Sequence, residues 1–138
     1  MIPIHHIDHI VLRVIDAQAM MDFYAAVFGC TVERHRPDLG LYHLRAGSAL
    51  IDLVPVDGPL GKLGGAAPAK EGRNVDHFCL RIEPWDESAI RAHLAALGIP
   101  IASEGNRYGA DGTGPSFYIL DPEGNTVELK GPPELTPH

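Results

Sequence analysis

Polar and apolar residues alternate along Ile7-Asp8-His9-Ile10-Val11-Leu12-Arg13-Val14, the period-two pattern of a strand with one covered face. Ile10, Leu12 and Val14 share one side, and His9, Val11 and Arg13 share the other. The period then lengthens. Met20, Phe23, Tyr24 and Val27 fall at helical spacing, with Asp16 placed to cap the first turn and Gly29 to end the last. Strand-like runs follow at 31–35, 41–45 and 49–54, parted by the turns Asp38-Leu39-Gly40 and Ala46-Gly47-Ser48.

The same succession then returns. Val75-Asp76-His77-Phe78-Cys79-Leu80-Arg81-Ile82 repeats the Asp, His, Leu and Arg of the first strand at a constant offset of 68 (77 − 9). A helix opened by Pro84 and Asp86 carries Ile90, His93, Leu94 and Leu97 and stops at Gly98. Strands are expected at 99–103, 116–120 and 126–130, with Asp121-Pro122-Glu123-Gly124-Asn125 as a tight connection. Each unit reads β-α-β-β-β. One sheet with one helix leaves a sheet face bare, so the duplication implies that the two bare faces are used jointly. The expected organisation is a single domain over 1–138, made of a module 7–56, a Gly/Pro/Ala-rich linker 57–74 and a module 75–131.

Composition narrows the functional classes. The chain has 138 residues, 45% of them hydrophobic, enough for one compact core. A net charge of −7 without a Lys/Arg cluster disfavours nucleic acid as a partner. No apolar run reaches membrane-spanning length and no signal-peptide pattern opens the chain, so a cytoplasmic protein with no membrane partner is expected. Cys30 and Cys79 form no C-x-x-C pattern, and a disulfide scaffold is not indicated. Gly58-Pro59-Leu60-Gly61-Lys62-Leu63 lacks the Ser/Thr and helix of a phosphate loop. The glycine-rich 109–114 lacks the strand-then-helix setting of a dinucleotide site, and reads as a mobile loop bordering a cavity.

Strand parity identifies the candidate chemistry. His77, Cys79 and Arg81 point away from the packed side of their strand, and so do Thr126, Glu128 and Lys130 of the last one. Laying 49–53 over 125–129 puts Asp52 at the position of Glu128. Each unit thus offers a histidine from its first strand and a carboxylate from its last, on the face without the helix. Two imidazoles and one or two carboxylates suit a divalent metal with open positions, and a metal would supply the charge partner that a buried carboxylate needs. The bland reading of the same residues is packing inherited from the duplication. His9, His77 and Glu128 are the candidate ligands, and Glu128 and Asp52 the candidate proton-transfer groups. Arg13 reads as a carboxylate partner; Arg81, Arg107 and Tyr108 read as candidate substrate contacts, with Leu50, Val54 and Cys79 as further cavity residues.

The sequence resembles the vicinal oxygen chelate superfamily of glyoxalases, fosfomycin- and bleomycin-resistance proteins and extradiol dioxygenases. The resemblance rests on Ile7–Leu12, Phe23-Tyr24, Phe28-Gly29, Val75-Asp76-His77 and, most specifically, the run from Ser116 through Asp121-Pro122-Glu123-Gly124-Asn125 to Leu129. It implies an α+β fold in which two βαβββ modules form a U-shaped mixed-sheet barrel, and a homodimer. It also implies a divalent metal (Ni, Zn, Mn, Co or Fe(II)) at His9, His77 and Glu128, with a variable fourth position at or near Asp52. Glyoxalase I has Glu or Gln there, so Asp52 departs from that pattern. The activity implied first is that of a glyoxalase-like lyase or isomerase on a small oxygenated substrate. An extradiol-type dioxygenase, an epoxide-opening transferase and a non-catalytic small-molecule binding or resistance protein are the alternatives.

Overall fold

The computed structural model describes residues 1–134, which fall into two compact units meeting in sequence at Asn74 and Val75. The first contains β1 (His9–Val14), α1 (Ala17–Phe28), β2 (Thr31–Arg36), β3 (Leu41–Ala46) and β4 (Ala49–Pro55). The second contains β5 (Phe78–Arg81), α2 (Glu87–Ala96), β6 (Ser103–Gly109), β7 (Gly112–Leu120) and β8 (Thr126–Lys130).

Each unit holds one mixed four-stranded sheet, ordered β1-β4-β3-β2 in the first and β5-β8-β7-β6 in the second. The first and last strands of each unit pair in parallel, because a helix and two strands lie between them. Hairpin neighbours pair antiparallel. Both sheets are open and neither closes on itself, while the α+β class and the two βαβββ units are as expected.

The helices form where the period predicts. The side chain of Asp16 accepts from Ala19 N, and that of Asp86 from Ala89 N, so each satisfies a backbone donor that the first turn leaves free. Gly29 takes the left-handed conformation that ends α1, at a φ of 69°. The cores follow strand parity. Leu12, Val14, Met20, Tyr24, Leu44, Ile51 and Leu53 are buried in the first unit, and Leu94, Phe117, Ile119, Val127 and Leu129 in the second. Fully burying an aliphatic or methionine side chain stabilises by roughly 1.5–3 kcal/mol, so these faces fix the registers that place the polar ones.

Three expectations are corrected. The strand placed at 99–103 begins only at Ser103 and runs to Gly109. Its Ser-Glu-Gly-Asn-Arg-Tyr-Gly sequence has no apolar alternation, since it is an edge strand held by backbone pairing to β7. The segment 109–114 is no loose loop: Gly109 pairs with Gly112 around a two-residue turn at Ala110-Asp111, and Gly112–Gly114 belong to β7. Arg13 does not pair with carboxylates. Its guanidinium donates to the carbonyls of Gly61, Gly65 and Ala66, at 2.6–3.3 Å, and so ties down a short 3-10 turn at Gly61–Gly64 within the linker. Asn74 adds a two-way bond to the Arg13 backbone, at 3.1 and 2.9 Å.

Candidate metal centre

Glu128 is buried on β8, opposite Cys79 of β5 on one side and Tyr118 of β7 on the other. Its two oxygens are used differently. Oε2 accepts the Ser116 hydroxyl at 2.8 Å, while Oε1 lies 3.3 Å from Nε2 of His77, which immediately precedes β5. The other ring nitrogen of His77, Nδ1, donates to Asp76 at 2.6 Å. A ring carrying its one proton on Nδ1 would turn an Nε2 lone pair toward a carboxylate lone pair. Two acceptors facing each other require a cation between them, either a second ring proton or a metal ion. Ligands about 2.1 Å from a tetrahedral metal stand roughly 3.4 Å apart, so the pair has the spacing a metal needs. Asp76 provides the carboxylate–histidine contact that orients metal-bound imidazoles.

The surroundings of Glu128 register its charge. Burial first, and then Glu128, push the Cys79 thiol up to about 11. The Tyr118 phenol is raised for the same two reasons in the same order. Both groups therefore stay protonated near neutrality beside the carboxylate.

A cavity of about 340 Å³ opens on this face, lined by His77, Cys79, Glu128 and Lys130 and by Tyr108–Ala110 at the end of β6. Arg81 also lines it, with its guanidinium engaged by Glu83 at 3.1 Å and Asp111 at 2.7 Å. Tyr108 borders the cavity with a largely exposed side chain. Arg107 lies over the Tyr118 ring, 4.4 Å from its centroid, and donates to Ser103 Oγ at 2.8 Å. It supports the tyrosine beside Glu128 rather than lining the cavity.

The first unit carries a parallel arrangement. Val11 is opposite Asp52 as Cys79 is opposite Glu128, so parity matched the two carboxylates correctly. Asp52 is buried and accepts from Nδ1 of His43 on β3, at 2.8 Å. His9 Nδ1 donates to Asp8 at 2.8 Å, leaving Nε2 available. The Asp8 hydrogen bond raises the His9 pKa above the usual imidazole range, and the charge of Asp52 adds to the rise.

Among the described residues, no three or more His, Cys, Asp or Glu side chains gather into one cluster able to hold a metal. Besides the adjacent pairs His9–Asp8 and His77–Asp76, the couples that form between residues distant in sequence are His77–Glu128 and His43–Asp52. Sequence reading missed His43, Ser116, the burial of Lys130 and the orienting role of Asp8 and Asp76. The Asp-His pair was visible as a repeat, and a hairpin turning at 46–49 already puts His43 opposite Asp52. Ser116 and Lys130 gave no signal beyond parity. No helix among the described residues is long and apolar enough to cross a membrane.

Comparison with known proteins agrees with this architecture. The family model of the Glyoxalase/Bleomycin resistance protein/Dioxygenase superfamily matches residues 6–129. An integron cassette protein from the mobile metagenome of V. cholerae is 27% identical, with a TM-score of 0.75 over 95% of this chain and 98% of the other. A lactoylglutathione lyase from Agrobacterium tumefaciens is 25% identical, with a TM-score of 0.65 over 94% and 95% of the two chains. A fosfomycin resistance protein from Listeria monocytogenes shares the fold at 18% identity, with a TM-score of 0.66 over 94% of each chain.

Proposed function

The chain belongs to the Glyoxalase/Bleomycin resistance protein/Dioxygenase superfamily, and on that footing we propose that it is a divalent-metal-dependent lyase or isomerase of the glyoxalase type, acting on a small oxygenated substrate. The observation that carries this reading is the facing of His77 Nε2 and Glu128 Oε1 across 3.3 Å, with Asp76 and Ser116 fixing the far side of each group. His77 and Glu128 are the proposed ligands of the second unit, and His9, oriented by Asp8, is the corresponding proposed ligand of the first. Nickel, zinc, manganese, cobalt and iron(II) all accept two imidazoles and a carboxylate.

Such an ion, when bound, supplies Lewis acidity toward two substrate oxygens. The chain's own groups do the rest. Ser116 keeps Oε2 of Glu128 turned toward β7, so that Oε1 faces His77. Proton transfer falls to a carboxylate, either Glu128 or Asp52, whose Oδ1 is held by His43. Cys79 and Tyr118, kept protonated, add no competing negative charge. A homodimer is part of this reading, and sedimentation of the purified protein tests it.

The deciding experiment strips the protein with chelator, adds back each metal in turn, and measures retention by calorimetry and activity on small hydroxy-carbonyl substrates. One equivalent of metal bound by the wild type and lost in His77→Ala is the expected result. Failure of the wild type to bind any of the five metals, or unchanged binding by His77→Ala, overturns the proposal.

A further inference from the structure

The side chain of Lys130 is the unexplained group in the second unit. The residue is 4% exposed, and its Nζ has no hydrogen-bond partner, alone among the buried side-chain nitrogens and oxygens of the described residues. Buried polar groups are paired as a rule, and leaving one unpaired is costly, so an orphan donor calls for a physical explanation. Lys130 lines the same cavity as His77 and Glu128. Strand parity puts it on the face of Glu128, two residues further along β8, which is about 6.7 Å.

The lysine is also specifically accommodated. A Cβ added to Gly109 would come within 2.5 Å of Lys130 Cε and 3.1 Å of its Cδ, so the aliphatic stem lies where any larger residue at 109 would intrude. Its cross-strand neighbour on β5 is Arg81, a second cation on the same cavity wall. The two differ in one respect: Arg81 is held by Glu83 and Asp111, whereas Lys130 has no such partner.

We propose that Lys130 Nζ is a specificity-determining contact that receives an anionic substituent of the substrate, a carboxylate or a phosphate-type group, within the cavity of the second unit. An amine with three donors and no acceptor matches such a group, and a charge-assisted bond formed away from water is stronger than a neutral one. This assignment deepens the metal-site reading above and rests on it for the position of the reacting oxygens.

The test follows amide chemical shifts in the full-length protein, titrated with acetate, methylphosphonate and, as the uncharged control, acetamide. One arm uses zinc-loaded wild type. The second uses metal-free Glu128→Gln, which removes the neighbouring carboxylate charge and needs no metal. Saturable shifts at Arg81, Gly109 and Lys130 are expected with an anion but not with acetamide, weakened at least tenfold when Lys130→Met is introduced into either background. Acetate and methylphosphonate are compared to decide which anion is preferred. Absence of a saturable anion response in the Glu128→Gln arm, or equal affinity after Lys130→Met, overturns the assignment. Zinc titration of the wild type reports separately on the metal reading, so the two failures are distinct.

Discussion

Asp52 accepts a hydrogen bond from His43 across the β3–β4 pair, at the register position where the second unit sets Tyr118 beside Glu128. On the adjoining antiparallel strand, the equivalent carboxylates of the two units thus have different neighbours, an imidazole in one and a phenol in the other.

Removing that imidazole exposes the cost of a buried carboxylate. His43→Ala should lower unfolding free energy by about 1–3 kcal/mol, the range for a buried group that loses its partner. Asp52→Asn, which keeps an oxygen acceptor for His43, should cost less. Urea melts of the two variants check the order, and a larger loss for Asp52→Asn would contradict it.

On the proposed metal reading, Asp76 acts through His77. Asp76→Ala should weaken zinc binding by about 10–100-fold, the usual effect of removing the carboxylate behind a metal-bound imidazole. The fold should remain intact, because the Asp76 side chain is 95% exposed. Calorimetry compares this variant with wild type, and Asp8→Ala tests the same relationship at His9.

Cys79 sets a pH dependence. Its thiol is pushed up to about 11 from an ordinary 9.0, so at pH 8 its thiolate fraction should be roughly a hundredfold below that of a free cysteine. Raised pKa means that the folded state holds the proton more tightly, and reactivity is gained as pH climbs toward 11. Alkylation of metal-free protein, mapped by mass spectrometry, should therefore accelerate steeply above pH 9. Glu128→Gln should speed it at every pH below that, since one cause of the rise is the carboxylate charge.

Lys130→Met should stabilise the protein. It replaces an unpaired buried donor with an apolar side chain of similar length, relieving a penalty of about 1–3 kcal/mol. Thermal melts in phosphate-free buffer should show a higher midpoint than wild type. A lower midpoint would mean that Nζ has a stabilising partner in the folded protein.

The sequence conveyed what repeats and what alternates. Alternation along β1, β5 and β8 separated the packed face of each strand from the opposite one and matched Asp52 with Glu128. It failed at β6, where Ser103–Gly109 pairs through its backbone and has no apolar rhythm to betray it. Arg13 was misread because its partners are carbonyls of Gly61, Gly65 and Ala66, and side-chain identity says nothing about where a carbonyl points. Lys130 was placed on the right face. Its burial was invisible, since that depends on the passage of β6 at Gly109, a strand whose position had been misjudged.

That passage ties two distant letters of the sequence together. Glycine at 109 leaves room for the Lys130 stem along its present path, whereas a larger residue there would push that flexible stem aside. The pair therefore works as a sorting tag. Within a superfamily that keeps its fold while changing its chemistry, chains carrying both Gly109 and Lys130 equivalents should share a taste for charged substrates.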